Sequence, residues 1–191
     1  MESLFFHPKV VHIPIALAVI MPLLSGVIVL AWWRNWLPQS AWALAIGLQC
    51  ILVGSGFVAM NTGEEHEEIV ECVVDHGLIH EHEEAAELFV YAAAGLLVPF
   101  LAAGLVRKRK VSLPLGLLST LGTLAILFLG YQTGEAGGSL VYEHGAANAF
   151  VHELPDDCGA HYFPIQVYLV SPTADARSAR TYPTHRNRSE Y

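Results

Sequence analysis

The stretch VVHIPIALAVIMPLLSGVIVLAWW, residues 10–33, runs for 24 residues without an Asp, Glu, Lys or Arg. A helix rises about 1.5 Å per residue, so roughly 20 apolar residues cross the ~30 Å hydrocarbon layer of a bilayer. Residues 35–63, 88–106 and 111–134 are equally free of charge. Four such windows predict an all-α fold, an integral membrane four-helix bundle with helices at about 8–33, 40–61, 78–107 and 111–132. A cleavable signal peptide is the competing reading of the first window. It fits poorly, because the window is longer than a signal h-region and is preceded by Glu2 and a single Lys9.

Composition agrees. The 191 residues are 53% hydrophobic and 15% charged, against about 25% charge in soluble domains, and the mean hydropathy is +0.43. A net charge of −8 argues against nucleic-acid binding, which needs a basic face to neutralise phosphates. Three cysteines are too few for a disulfide scaffold.

The charges are sorted along the chain. Arg34 joins the first two windows, and Arg107, Lys108, Arg109 and Lys110 join the last two, with no acid in either connection. The positive-inside rule places these connections in the cytoplasm and both termini on the outer, periplasmic side of an inner membrane. Trp32, Trp33, Trp36 and Trp42 read as an interfacial belt at the basic edge. All 18 acids and all 10 histidines fall before the first span, between the second and third, or after the fourth, except that His12 enters the first window. Acids on that side need only be a solvated face. Ten histidines ask for more, since imidazole is the commonest metal ligand and the usual axial ligand of b-type haem.

Four histidines stand out. His7 and His12 flank the start of the first helix, where Pro8 suits the first turn. His12 lies inside the apolar window, where an ionisable group marks a functional site, and it is expected to be the more enclosed of the two. Between the second and third spans an acidic helical segment is expected in two halves, separated by Gly77. His82, Ala86 and Phe89 then share the face that continues into the bundle, whereas His80, Glu84, Glu87 and Tyr91 share the solvent face. After the fourth span, Gly134, Gly137 and Gly138 permit a turn that would fold His144 back over the bundle mouth. Gly47, Gly54, Gly95 and Ala92–Ala94 are candidates for close helix packing or for a flat cofactor.

Absent motifs narrow the chemistry. No Cys-x-x-Cys-His, Glu-x-x-His or His-Glu-x-x-His occurs, which disfavours c-type haem, a carboxylate-bridged di-iron bundle and a zinc-peptidase helix. The pattern points to a redox subunit that holds b-type haem through His12 and His82, with His144 or His7 as further ligands. It would be an electron-transfer or accessory subunit rather than a stand-alone enzyme. The alternatives are a non-haem transition-metal module built on the same histidines with Glu81, Glu83 or Glu84, and a cofactor-free structural subunit.

Residues 1–150 form the expected transmembrane domain, and 151–191 an extended outer extension. Its apolar centre, residues 163–170, is too short to span a bilayer. Residues 171–191 are polar and Arg-rich, so ordering them costs entropy that a partner subunit of a membrane complex would offset. Cys72 and Cys158 both fall on the outer side, where disulfides persist, and are expected to pair, whereas Cys50 lies within the second span.

His-Pro-x-x-Val-His-x-Pro at 7–14, Glu-His-Glu-Glu-Ala-Ala at 81–86 and Thr-Gly-x-x-Gly-Gly-x-Leu-Val-Tyr-x-His-Gly at 133–145 together resemble the "domain of unknown function 2231" family of predicted bacterial membrane proteins. The resemblance covers about residues 5–147. It implies a four-helix membrane domain, often encoded near electron-transfer genes, without an assigned activity. It also implies that His7, His12, His82 and His144 are the positions that matter.

Overall fold

The structure is a computed structural model that describes residues 6–64 and 67–150. Its long elements are α2 (His12–Trp33), α3 (Trp42–Glu64), α5 (His76–Leu105) and α6 (Arg109–Tyr142), with the short helices α1 (Phe6–Val10) and α4 (Glu67–Val70) at one end. Single 3-10 turns cover Gln39–Ala41 and Ala146–Phe150. No strand occurs among the described residues. All four long helices are long and apolar enough to cross a membrane. They pack in a closed square, α2 on α3, α3 on α5, α5 on α6 and α6 back on α2.

Small residues set the helix spacing, as they must where lipid tails compete on equal apolar terms. Ala45, Ala93 and Ala103 are fully buried. Gly56 admits Val90, Gly116 admits Trp32 and Gly130 admits Phe89, each with about 3 Å between the neighbour and the place a Cβ would take. The close approaches expected at Gly47, Gly54 and Gly95 are not made, for nothing lies within 4 Å of a Cβ at those positions.

The tryptophans divide. Trp33 and Trp36 are exposed, but Trp32 and Trp42 are core residues, which corrects the reading of all four as a belt. Trp42 stacks on Phe100 at 5.1 Å and donates its Nε1–H to the Phe100 carbonyl at 2.9 Å. An indole is buried at little cost once its single polar atom is paired.

The helix ends at the basic face are closed by side chains. Asn35, with φ of 60°, takes the left-handed position that ends α2, and the bonds Trp36 N–H to Ala31 O and Asn35 N–H to Trp32 O form a Schellman motif. Arg109, at the start of α6, donates to the carbonyls of Trp32 and Trp33 and to the Asn35 side chain. Gln39, ahead of α3, donates to the carbonyls of Ala103, Gly104 and Val106 at the end of α5. Each connection thus caps the helix that ends beside it in the other hairpin.

At the opposite end the boundaries differ from the sequence reading in two places. Of residues 64–87, the described part holds only the short α4, a turn through 71–74 and then α5, which Asp75 starts by accepting from the Gly77 N–H at 2.9 Å. Asp75, not Gly77, therefore divides the segment, because a carboxylate at the N-cap satisfies an otherwise orphan amide. The glycine turn after the fourth span does not form either. α6 continues unbroken through Gly134, Gly137 and Gly138 to Tyr142, and Leu140 on this extension packs with Val74, Ile79 and Ala146 in a second small core.

Cys72 is disulfide-bonded and Cys50 is free. Cys158, its expected partner, lies outside the described residues, as do the apolar segment 163–170 and the tail 171–191.

Gln39→Ala removes the donor shared by three carbonyls at the end of α5. It is expected to cost about 1–3 kcal/mol, the range for leaving buried acceptors unmatched, as a lowered unfolding midpoint in detergent. A midpoint equal to that of the parent chain would show that water reaches these carbonyls.

Candidate functional site

Helical phase decides which N-terminal histidine faces the bundle. Pro14 has no N–H to give the Val10 carbonyl, but Val11 between α1 and α2 keeps helical backbone angles and its main chain bonds on to His7 and Ile15. His7 and His12, five residues apart, therefore stand about 140° apart round the helix. His12 points outward, where it is exposed and donates Nδ1–H to the Pro8 carbonyl at 2.7 Å. His7 turns inward onto the end of α3. Its Nδ1–H is shared between the Ala59 carbonyl at 2.9 Å and the Thr62 hydroxyl at 3.2 Å, and its Cε1 lies 3.2 Å from the place of a Cβ on Gly63. This reverses the expectation that His12 is the more enclosed ring.

The carbonyl that receives His7 can only accept, so Nδ1 carries a proton. A backbone carbonyl holding one imidazole nitrogen is the usual support of a ligating histidine.

His82 occupies the matching place in the second hairpin. The α5 face bearing Phe89 points inward, and that bearing His80, Glu84 and Tyr91 points out. The His82 ring lies against α6, with Cε1 2.9 Å from the place of a Cβ on Gly137. The main chain of Thr133 acts on the ring as a hydrogen-bond partner, and His7 is near enough to act on it through charge. Its Nδ1 is buried and has no hydrogen-bond partner. Thr133 Oγ1 also donates to the Ala85 carbonyl at 3.0 Å, which fixes α6 against α5 one turn from His82.

The structure therefore places His7 and His82 at the same end of the bundle, within electrostatic reach of each other, and leaves His12 and His144 exposed. His144 lies just past the end of α6, exposed, with Nδ1 3.2 Å from the Ser139 carbonyl. It stays there because α6 does not turn at its glycines. The sequence reading missed the supporting residues Ala59, Thr62, Gly63, Thr133 and Gly137. A signal for them exists in the Thr-Gly-Glu triplet that occurs at both 62–64 and 133–135, at corresponding points of the two hairpins.

Carboxylates gather at the same end of the bundle. Glu83 lies within electrostatic reach of Glu64, Glu67 and His80, and His80 approaches Glu84 at 3.3 Å. A separate group, Glu67, Glu71 and His76, has its ligand atoms within 4.8 Å of one another, with His76 Nδ1 2.6 Å from Glu71. Glu71 and His76 are exposed and pair with each other, as an acidic surface does without an ion.

Across residues 4–149 the chain matches the family described as "Predicted membrane protein (DUF2231)". No curated protein and no solved structure matches it. The match takes in all four spans and both histidine-bearing ends, and the chain belongs to that family.

The three glycines nearest the C-terminal end of α6, Gly134, Gly137 and Gly138, separate by environment. Gly134→Ala and Gly138→Ala add a methyl where nothing lies within 4 Å, and each is expected to raise stability by up to about 1 kcal/mol through helix propensity. Gly137→Ala is expected to lose that gain by pushing His82 aside, so that diethyl pyrocarbonate modifies His82 faster. Equal stabilisation at all three positions, with His82 modified at an unchanged rate, would refute the contact.

Proposed function

We propose that this member of the family is a membrane-embedded metal-binding module whose imidazole ligands are His7 and His82. The observation that carries the reading is the pairing itself. Two histidines from different hairpins come within reach of each other's charge, one held by a carbonyl on its Nδ1 and the other with a buried, unpartnered Nδ1. A buried polar atom without a partner is found where an ion or a water belongs. Glu64, Glu67 and Glu83, which lie within electrostatic reach of one another at the same end of the bundle, favour the approach of a cation, and imidazole with carboxylate suits zinc, iron or copper.

The haem reading is less well supported. A macrocycle needs an open slot on every side of the metal–nitrogen bond, and the backbones at Gly63 and Gly137 close against the Cε1 corners of both rings. An ion asks only for the lone pair. A redox role remains open to a metal that cycles, such as copper or iron, and not to zinc.

The positive-inside rule supports placing the basic connections in the cytoplasm and the histidines on the outer side. That side permits disulfides, in keeping with a Cys72 to Cys158 bond. Peptide mapping without reductant is expected to recover those two peptides linked, and recovery of Cys158 as a free thiol would disprove the pairing.

Cobalt(II), whose absorption reports its ligands, tests the site in the purified chain. Visible bands are expected on titration, lost in His7→Ala and His82→Ala and kept in His12→Ala and His144→Ala. Unchanged bands in His82→Ala would sink the assignment. A Soret band in the protein as isolated, abolished by the same two variants, would replace the ion with haem.

A further inference from the structure

We propose a second site at the other end of the bundle, a cavity that takes the headgroup of an anionic phospholipid. The cavity is formed where the chain leaves α2 for α3. It is a shallow depression, open to the outside, of about 400 Å³ and lined by Trp32, Asn35, Trp36, Leu37, Pro38 and Gln39.

Two guanidinium groups border it. Arg34 lies 5.8 Å and 5.9 Å from the ring centres of Trp33 and Trp36, so aromatic faces hold its position. Arg109 is tied to the wall residues Asn35 and Trp32, which fixes its charge at the rim. Arg107, Lys108 and Lys110 follow in the neighbouring connection. Among the described residues none of these five cations is paired with a carboxylate, and the sequence offers no acid between residues 10 and 63 or between 88 and 134. Within the described residues this positive charge is not balanced by a carboxylate.

The surroundings say what kind of anion. Trp36 and Trp33 are 73% and 57% exposed beside the cavity, and Leu105 and Val111 are exposed at the ends of the flanking helices. Indole rings sit at the level of lipid headgroups, and exposed Leu and Val there need hydrocarbon cover. A ligand that supplies a phosphate and an acyl chain together meets both demands. Basic pockets at the membrane surface between transmembrane helices bind anionic headgroups on these terms.

All four tryptophans of the chain, at 32, 33, 36 and 42, lie at this end, so their fluorescence reports on it alone. The full chain is reconstituted in mixtures containing either brominated phosphatidylglycerol or brominated phosphatidylcholine at the same mole fraction, and quenching is compared. Phosphatidylglycerol is expected to quench as though bound severalfold more tightly, with the preference falling towards one in Arg34→Gln/Lys108→Gln and in the parent chain at high salt. Equal quenching by the two lipids in the parent chain overturns the site, whatever the variant does. Loss of the preference on adding inorganic phosphate at unchanged ionic strength also overturns it, because the cavity would then take free phosphate rather than a lipid.

Discussion

A helix leaves its last carbonyls without partners in its own ladder, and that constraint organises this chain. The cost of an unmatched carbonyl rises towards the hydrocarbon, so each connection satisfies the carbonyls of the helix that ends beside it. The chain does this reciprocally. Gln39, from the first hairpin's connection, closes the end of α5, and Arg109, from the second's, closes the end of α2. Neither hairpin is finished without the other, so the capping bonds also fix their mutual register. The buried indole of Trp42 and the amide of Gln49 follow the same rule by donating to the α5 carbonyls of Phe100 and Ala93.

The reciprocity recurs at the histidine end. His7 leads into the first hairpin and rests on Thr62 and Gly63 near the end of α3. His82 leads into the second and rests on Thr133 and Gly137 near the end of α6. In the packing square, α2 corresponds to α5 and α3 to α6, and each interface maps onto another under that exchange. Two hairpins built on one plan bring equivalent residues to the same end of the bundle. This accounts for the electrostatic reach between two histidines that are 75 positions apart.

The four spans were legible because hydropathy depends on composition, which survives any detail of packing. The inward face of His82 was legible too, since it follows from 3.6-residue periodicity within one unbroken helix. Where the reading went astray, the deciding contact lay elsewhere in the chain. His7 and His12 stand about 140° apart round a helix, so only one faces the bundle, and the contacts of His7 with Ala59 and Thr62 decide which. Gly134, Gly137 and Gly138 look like a turn in isolation. They stay helical because α6 packs against α5 there and one of them is needed to admit the His82 ring. Trp32 and Trp42 look interfacial by position, but their partners Gly116 and Phe100 are distant in sequence, and only the fold brings them near.

Three buried polar atoms have no partner among the described residues: Gln49 Oε1, Ser112 Oγ and His82 Nδ1. They are not equivalent. A serine hydroxyl in a helix rotates freely and can turn to the carbonyl four residues back, here that of Lys108. The Gln49 side chain is fully enclosed in the bundle core and already spends its amide on Ala93, so nothing from solution arrives there. His82 alone combines an unmatched nitrogen with a half-buried residue at the end of the bundle where the acids gather. Leaving such a nitrogen dry costs about 1–3 kcal/mol, and its lone pair is that of a metal ligand rather than a mere hydrogen-bond acceptor. An incoming ion would recover that cost in coordination, whereas a methyl or a water would recover none or part of it. Of the three unmatched atoms it is thus the one that an ion could use as a ligand.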